Sequence, residues 1–215
     1  VLANPSSWSE TLVTALERYV EQGGGLLISC GNQTQPTDMT RALYKDGFGL
    51  LPAALGAPRK PENQERPFSP YFPKGRSDVF PFLEADEGQR LDEVLLTQFV
   101  QVDVTDHDRK KGTEILAEIA NEQPLILSRR IGKGRVIHWT SSLDMTWGNF
   151  PSQWVFVPLI NHLMLYLSAE NQNNNQVIQG DKYVLTMPTS DETQNVIYLK
   201  DPDGEVSEEE ARREG

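Results

Sequence analysis

The first 29 residues constrain the fold more than any other part of the chain. A short apolar run, residues 1–3, is followed by Ser7-Trp8-Ser9-Glu10, which fits the capping box of a helix N-terminus. Gly23-Gly24-Gly25 ends that helix, because glycine adopts the left-handed conformation at little cost. The unbroken apolar run at residues 26–29 is typical of a parallel strand covered on both faces. The pattern predicts a strand–helix–strand unit. Its core-facing helical stripe is predicted to be Leu12, Leu16, Tyr19 and Val20.

Further elements follow from similar local patterns. A short helix is predicted after Pro36, and residues 99–104 alternate like a half-buried strand. Residues 113–120 fit either a strand or a short helix. Residues 47–76 are dense in proline, which predicts a long surface excursion without regular ladders or helices.

A hairpin and a buried helix complete the first domain. Residues 124–130 and 134–140 are rich in β-forming residues and flank Gly132-Lys133-Gly134, which predicts a hairpin turn. This glycine-rich segment lacks the spacing of a phosphate-binding loop. Residues 154–169 are apolar almost all round and predict a helix buried against the sheet.

The sequence divides into one domain, a linker and a fragment. Residues 1–170 form the predicted α/β domain, and residues 171–176 form a polar linker. Residues 177–215 contain short β runs, including 177–178, 183–186 and 196–199, and are predicted to begin a truncated β-sandwich-like domain.

Charge and composition exclude several classes of protein. Lys and Arg number 20 against 31 Asp and Glu, so the formal charge is 20 − 31 = −11. Such a chain lacks the cationic face that nucleic acids require, and an anionic membrane surface is disfavoured for the same reason. One cysteine excludes an internal disulfide framework, and three scattered histidines leave little material for a metal centre. We therefore expect no metal and no cofactor.

The sequence predicts no signal peptide, and its most apolar stretch does not predict a membrane span. That stretch, residues 154–167, is 14 residues long and is interrupted by Pro158, Asn161 and His162. We expect any membrane anchor to lie outside this sequence.

Polar residues follow three predicted strands of the α/β domain. Ligands collect beyond the carboxyl ends of parallel strands, so we expect these residues to converge on one edge of the sheet. The candidate ligand-binding residues are Asn4, Cys30, Gly31, Asn32, Gln33, Ser141, Ser142, Asp144 and Trp147.

Cys30 is the one weak candidate for a catalytic residue. It follows a buried strand, where a nucleophile elbow places its reactive group. Ile28 and Asn32, however, occupy the positions where an elbow needs small residues. His138 lies inside a predicted strand, while His107 is expected in a solvated loop and His162 in the buried helix. The sequence therefore predicts no complete catalytic set, and a small buried hydrophobe is the alternative role of Cys30.

An aromatic cluster, from Trp147 to Trp154, follows the same edge of the predicted sheet. Such a cluster either packs a loop onto the domain or offers a stacking surface to a sugar or a partner.

Several segments together resemble the class I glutamine amidotransferase-like domain of bacterial envelope proteins with BatA-type membrane segments and von Willebrand factor A domains. The matching segments span residues 1–170 in order. They are residues 16–20, 23–28, 49–53, 132–136, 140–144 and 156–159, together with Trp147.

This resemblance implies a flavodoxin-like three-layer α/β/α fold whose first strands precede Val1. It implies that Cys30 lies close to the elbow position, without both flanking glycines. It also implies that Ser142-Leu143-Asp144 occupies the place of the catalytic His-x-Glu pair. The domain then resembles a catalytically inactive relative that faces the periplasm in a membrane-anchored protein.

Three functions remain open at this point. The first is a non-catalytic domain that binds a protein partner, a neighbouring domain or a ligand. The second is a cysteine-dependent amidase or hydrolase that uses Cys30 with His138 or an unidentified base. The third is a carbohydrate-binding module built on the aromatic cluster.

Overall fold

The computed structural model describes residues 1–61, 67–74, 79–83, 89–119, 123–172, 196–200 and 206–210. The chain forms two compact units, Val1–Gln176 and Val177–Gly215. In the second unit, strands β10 (Val196–Lys200) and β11 (Val206–Glu210) pair in antiparallel fashion. The predicted β runs at 177–178 and 183–186 lie outside the described residues.

The strand–helix–strand unit is confirmed. Strand β1 (Leu2–Ala3) is parallel to β2 (Gly25–Ser29), and α1 (Glu10–Glu21) connects them. The residue that caps α1 is Ser9, whose hydroxyl accepts a hydrogen bond from the Leu12 backbone N–H at 3.2 Å.

The predicted core stripe of α1 is wrong at two positions. Leu12 and Tyr19 are exposed, whereas Val13 and Val20 are buried, and Leu16 is half-buried against them. The helix is therefore turned by about one residue from the face that the leucine spacing suggested.

The main sheet is mixed, and most of its pairs are antiparallel. Strand β9 (Gly134–Trp139) is parallel to β2. The other strands of this sheet pair in antiparallel fashion; they are β8 (Gln123–Ile131), β7 (Glu114–Ile119), β4 (Tyr71–Phe72) and β5 (Gln89–Arg90). The strand order is β1-β2-β9-β8-β7-β4-β5. The expectation of a parallel sheet thus holds for three strands only. The predicted β8–β9 hairpin is confirmed, and its short turn forces the change of direction.

The β8–β9 turn is pressed against the end of α1. A Cβ atom added at Gly132 would lie 2.8 Å from the Glu21 carbonyl oxygen, and one added at Gly134 would overlap the Val20 carbonyl oxygen. Gly132 also has a φ of +59°. Both positions therefore require glycine, and this end of the sheet is closed by direct backbone contact.

The proline-rich excursion contains more structure than predicted. Strand β3 (Ala54–Arg59) lies within it and pairs with β6 (Phe99–Asp103). Strand β4 of the main sheet lies within it as well. Leu50, Leu51 and Ala53 are fully buried. The β3–β6 pair shifts register between Leu55 and Pro58, which accommodates a residue that cannot donate to the ladder. Residues 113–120 fit either a strand or a short helix by sequence, and the structure forms a strand over Glu114–Ile119.

Helices cover both faces of the parallel part of the sheet. Helices α1 and α2 (Pro36–Leu43) pack on one face, through a core that includes Ile28 and Val136. Helix α4 (Phe156–Gln172) packs on the other, through a core that includes Leu27 and Ile137. A fourth helix, α3 (Asp106–Lys110), is short.

Helix α4 is buried on one face rather than all round. Leu159, Leu163 and Leu167 face the sheet, while Val157 and Leu165 are exposed. The helix begins two residues later than predicted and continues through Gln172, into the predicted linker. No helix among the described residues is long and apolar enough to cross a membrane.

Candidate functional site

The carboxyl ends of β1, β2 and β9 lie side by side. Ala3 pairs with Ser29, and Ser29 pairs with Trp139. The backbone continues this alignment, because the Asn4 N–H donates to the Ser29 carbonyl at 3.1 Å and the Cys30 N–H to the Trp139 carbonyl at 2.9 Å. We call the residues that follow these strands, Asn4, 30–34 and 140–147, the carboxyl edge.

Three predicted site residues, Asn4, Asn32 and Gln33, form a hydrogen-bonded cluster at this edge, and Gly31 packs against it. The Asn4 side-chain amide donates to the Asn32 side-chain oxygen at 2.7 Å, and its own oxygen accepts from the Gln33 N–H at 2.8 Å. Asn4 adopts a left-handed conformation, with φ of 51°. A Cβ atom at Gly31 would overlap the Asn4 side chain, so only glycine fits there. Asn32 and Gln33 remain exposed.

Cys30 lies against His138, and both are fully buried. The Cys30 Sγ is 3.4 Å from the His138 Nε2. The sequence offers His138 as a possible base for Cys30 but contains no sign that the two side chains are adjacent. The reason for the contact is register: Ile28 pairs with His138, and Cys30, two residues beyond Ile28, points to the same face of the sheet.

Burial keeps both groups of this pair uncharged at neutral pH. Desolvation raises the pKa of the Cys30 thiol to about 12, although the Thr34 hydroxyl partly offsets this effect. Desolvation also lowers the pKa of His138 to about 3. A catalytic cysteine works as a thiolate beside a base that can take up its proton, and this environment opposes both requirements.

Apolar side chains cover the thiol. Cys30 packs with Val100 and Trp147, and half-buried Leu55 lies against this group. Trp147 is only 5% exposed. The turn after Cys30 is closed by a hydrogen bond from the Gly31 N–H to the Thr34 hydroxyl at 2.9 Å. Thr34 was missed in the sequence, although its spacing from Gly31 is typical of a side-chain-closed turn.

The candidates after β9 hold their own loop in place. The Ser141 hydroxyl donates to the Gln98 carbonyl at 2.7 Å. The Ser142 hydroxyl accepts from the Trp147 N–H at 3.2 Å. Asp144 accepts hydrogen bonds from the Thr146 N–H and hydroxyl, and these bonds lower its pKa. Ser141 and Ser142 are buried, so Asp144 is the exposed member of this group.

The aromatic cluster does not form one stacking surface. Trp147 and Phe150 are buried, whereas Trp154 is 62% exposed, with its indole N–H donating to Glu93 at 3.2 Å. Trp147 therefore offers no open ring face to a sugar.

The other histidines lie away from the carboxyl edge. His107 is exposed on α3 beside Phe48, where a loop was expected, and His162 on α4 stacks on Phe82. Within the described ranges, no three His, Cys, Asp or Glu side chains come together to hold a metal ion.

A second buried polar group surrounds Asp108. Its carboxylate accepts a hydrogen bond from the Tyr44 hydroxyl at 2.8 Å and completes a capping box with Thr105. Arg129 donates to the carbonyls of Gly47 and Gly49. Burial and the bond to Asp108 raise the pKa of Tyr44 to about 12. The sequence gives one local sign of this network, the Thr105-x-x-Asp108 spacing.

This network holds a strained turn. Lys45, Asp46 and Gly47 have φ of 47°, 54° and 84°, and the first two are not glycine. Each non-glycine residue in this region costs about 1–3 kcal/mol, so the surrounding contacts must hold the turn. Arg129 supplies two of those contacts.

Comparison with known proteins relates the chain to solved structures only. No protein-family model matches the sequence, and no curated protein matches it. Two similar structures are the cytoplasmic proteins STM3548 from Salmonella typhimurium and STM1381 from Salmonella typhimurium LT2. STM3548 has a TM-score of 0.57 at 17% identity, and the match covers 73% of this chain and 60% of STM3548. STM1381 has a TM-score of 0.50 at 16% identity, and the match covers 74% of this chain and 59% of STM1381.

The chain therefore spans about three-fifths of the length of these two proteins. A β-galactosidase from Rahnella sp. R3 is more distant, with a TM-score of 0.44 at 12% identity over 73% of this chain and 21% of that one. At these identities the likeness to the two Salmonella proteins concerns the fold alone. Neither of the two Salmonella names points to the amidotransferase-like family, so that resemblance stays a prediction.

Proposed function

We propose that residues 1–170 form a non-catalytic, glutamine amidotransferase-like domain that binds a partner or ligand at the carboxyl edge of its sheet. The observation that carries the proposal is the state of the Cys30–His138 pair. The Cys30 thiol, which the resemblance puts close to the nucleophile position of active amidotransferases, lies 3.4 Å from the His138 imidazole, but both groups are buried and neutral.

Access to the thiol supports the same proposal. A substrate carbonyl must reach the sulfur with room for its oxyanion beside backbone N–H donors. Here Trp147, Val100 and Leu55 occupy the space around Cys30. The Gly31 N–H, which would be the nearest such donor in the chain, is already bonded to Thr34.

The proposal includes the arrangement of layers in this domain. A flavodoxin-like three-layer arrangement is supported by the parallel strands β1, β2 and β9 with helices on both faces. The four antiparallel pairs beyond β9 extend that arrangement on one side.

The exposed amides give the carboxyl edge its binding character. Asn32 and Gln33 present side chains that both donate and accept hydrogen bonds, and Asn4 holds the side chain of Asn32 and the backbone of Gln33. Uncharged amide groups suit polar, uncharged partner groups such as peptide bonds. We propose a protein partner or a neighbouring domain as the ligand.

The cellular setting is proposed from the sequence resemblance alone. The chain would be the extracytoplasmic part of a bacterial protein anchored in the envelope. The coding sequence upstream of Val1 tests this directly, because it should then encode a transmembrane helix and a von Willebrand factor A domain.

An activity assay tests the absence of catalysis. The purified chain should release no ammonia from glutamine above the level of its Cys30→Ala variant. Glutamine hydrolysis that disappears in Cys30→Ala would overturn the proposal, since no other cysteine is present.

A cysteine-dependent hydrolase is the second candidate, favoured by the 3.4 Å contact between Cys30 and His138. Thiol alkylation over a range of pH separates the two functions. A reactive thiolate would be alkylated in the folded chain below pH 7, whereas the buried thiol should react only after denaturant is added. Reaction only in denaturant rules out the hydrolase.

A further inference from the structure

The strained turn before Phe48 holds that side chain in water. Phe48 follows directly after the left-handed residues 45–47, and it is 74% exposed. The buried guanidinium of Arg129 donates to the carbonyls of Gly47 and Gly49, so both neighbours of Phe48 are fixed from inside the domain. Strained backbone that its surroundings hold in place is found mostly at binding and catalytic sites. The turn therefore marks this surface as a candidate site for a partner.

Helix α3 places two further side chains beside the Phe48 ring. The Lys111 ammonium lies 3.7 Å from the centroid of that ring, and the centroid of the His107 ring is 6.3 Å away. His107 and Lys111 are four positions apart at α3, so they share one side of the helix. The Tyr44 hydroxyl, just before the turn, is bonded to Asp108 and ties α3 to the turn. We call Phe48, His107 and Lys111 the Phe48 surface. Because its ring and its ammonium are in place before a partner binds, the entropy cost of association is low.

The charges around the Phe48 surface differ from those of the whole chain. Exposed side chains in residues 45–48 and 106–111 include four cations and two carboxylates, whereas the chain has 20 cations and 31 carboxylates. They are Lys45, Arg109, Lys110 and Lys111 against Asp46 and Asp106.

The Lys111 ammonium is available to a ligand. Lys45 pairs with Glu17 at 2.6 Å, but Lys111 forms no ion pair with Asp46, Asp106 or any other residue that the structure describes. Charges farther than about 8 Å are largely screened at physiological ionic strength, so the acidic residues elsewhere in the chain have little effect here. The Lys111 ammonium therefore favours a negatively charged ligand group.

The Phe48 surface suits a ligand that combines an aromatic ring with one negative charge. The ligand ring would pack against the exposed part of Phe48, and its charge would pair with the Lys111 ammonium. Nucleic acids and anionic membranes carry many charges over a wide area, so they would also face the acidic remainder of the chain. A short peptide with an aromatic residue next to one carboxylate needs to contact this surface only.

We propose that the Phe48 surface docks a short peptide segment of a protein partner, in which an aromatic side chain adjoins one carboxylate. The inference goes beyond the proposed function, because it concerns another surface than the carboxyl edge. A chain that binds no such peptide would refute it and leave the non-catalytic proposal standing.

Selection from a phage-displayed library of random 12-residue peptides tests the class of ligand. The full 215-residue chain should enrich peptides that carry Phe, Tyr or Trp next to one Asp or Glu. A library in which no peptide is enriched, or in which the enriched peptides lack the carboxylate, would overturn the proposal.

Fluorescence polarisation of a labelled, enriched peptide tests the place of binding. Phe48→Ala removes the ring and should raise Kd at least about 10-fold. Lys111→Gln removes the ammonium, so it should raise Kd about 3-fold and make binding less sensitive to salt. Trp154→Ala and Lys133→Gln are the matched controls, since they remove an exposed aromatic ring and an exposed ammonium elsewhere and should leave Kd unchanged. A Kd that is equal in Phe48→Ala and the parent chain would overturn the proposal.

Thermal unfolding and a second pair of substitutions separate binding from folding. Phe48 and Lys111 are exposed, so all these variants should unfold near the temperature of the parent chain. Phe48→Trp keeps an aromatic ring and should keep the affinity for the peptide, whereas Phe48→Leu keeps only apolar area and should lose most of it. Full affinity in Phe48→Leu would show that no aromatic ring is recognised, which refutes the proposed contact.

Discussion

Two buried polar regions of the first unit differ in how many hydrogen bonds their side chains make. Around Asp108, each group has several hydrogen-bond partners: the carboxylate contacts Tyr44 and Thr105, and Arg129 donates to two carbonyls. Around Cys30, the thiol contacts the His138 imidazole and the Thr34 hydroxyl, His138 Nδ1 is buried without a hydrogen-bond partner, and apolar side chains surround the pair.

The difference shows what burial does with and without partners. A charged group can stay inside a protein when hydrogen bonds replace the water it has lost. The region around Asp108 meets this condition and uses its bonds to hold a strained turn. The Cys30 region does not meet it, so the lower-energy state of both groups is the neutral one. The polar side chains around Asp108 therefore stabilise the local backbone, whereas the neutral Cys30 and His138 side chains are unreactive.

The largest expected effect comes from Asp108→Ala. This change removes the acceptor of Tyr44 and the capping box, and it leaves the Arg129 cation without its nearby carboxylate. Breaking a buried charged network typically costs about 3–5 kcal/mol of unfolding free energy. Urea unfolding measures the change. Asp106→Ala is the matched control, because Asp106 is in the first turn of the same helix but is exposed. Equal effects of the two substitutions would show that the Asp108 region is not a cooperative network.

A smaller effect is expected from protonation of His138. Its pKa is about 3 in the folded chain and near 6.5 when unfolded, so below pH 6.5 the unfolded state binds a proton that the folded state does not. Above pH 6.5, the contribution of His138 to the free energy of unfolding should not change with pH. Below pH 6.5, the free energy of unfolding should fall by about 1.4 kcal/mol per pH unit as the pH drops toward 3. The loss between pH 7 and pH 5 should therefore be about 2 kcal/mol.

His138→Gln isolates this contribution, because glutamine does not titrate. Unfolding in urea at pH 7 and pH 5 should show a smaller pH dependence for the variant than for the parent chain. An unchanged pH dependence would mean that His138 is not held neutral, and the contrast with the Asp108 region would be lost.

The smallest effect is expected from Cys30→Ala. The substitution removes one buried sulfur atom and leaves a small cavity beneath Trp147, at a cost of about 1–2 kcal/mol. Urea unfolding of Cys30→Ala beside Asp108→Ala compares the two regions directly. A larger loss for Cys30→Ala than for Asp108→Ala would reverse the comparison.

Local patterns carried most of what the sequence predicted correctly. The strand–helix–strand unit, α2, β6 and the β8–β9 hairpin each depend on residues close together in the chain, such as the glycines after α1. The clustering of Asn4, Gly31, Asn32 and Gln33 followed from one general property of parallel strands.

Pairings between distant residues could not be predicted. Cys30 and His138 are 108 positions apart, and their contact depends on the register between β2 and β9. Strand β3 was missed because proline normally opposes strand pairing, and the register shift near Pro58 that permits it is a property of two strands. The strained turn at Lys45 and Asp46 was also missed, because lysine is rarely left-handed and a single aspartate is a weak indicator of that conformation.

The backbone contact between the β8–β9 turn and the end of α1 has a consequence for how such a domain can change over time. Because glycine is required at Gly132 and Gly134, that end of the sheet does not tolerate larger residues. At the carboxyl edge the close contact is between Gly31 and the Asn4 side chain, whereas the side chains of Asn32, Gln33 and Asp144 are exposed and can be exchanged without such an overlap. Diversification of binding is thereby confined to one end of the sheet, while the other end preserves the frame on which it is built.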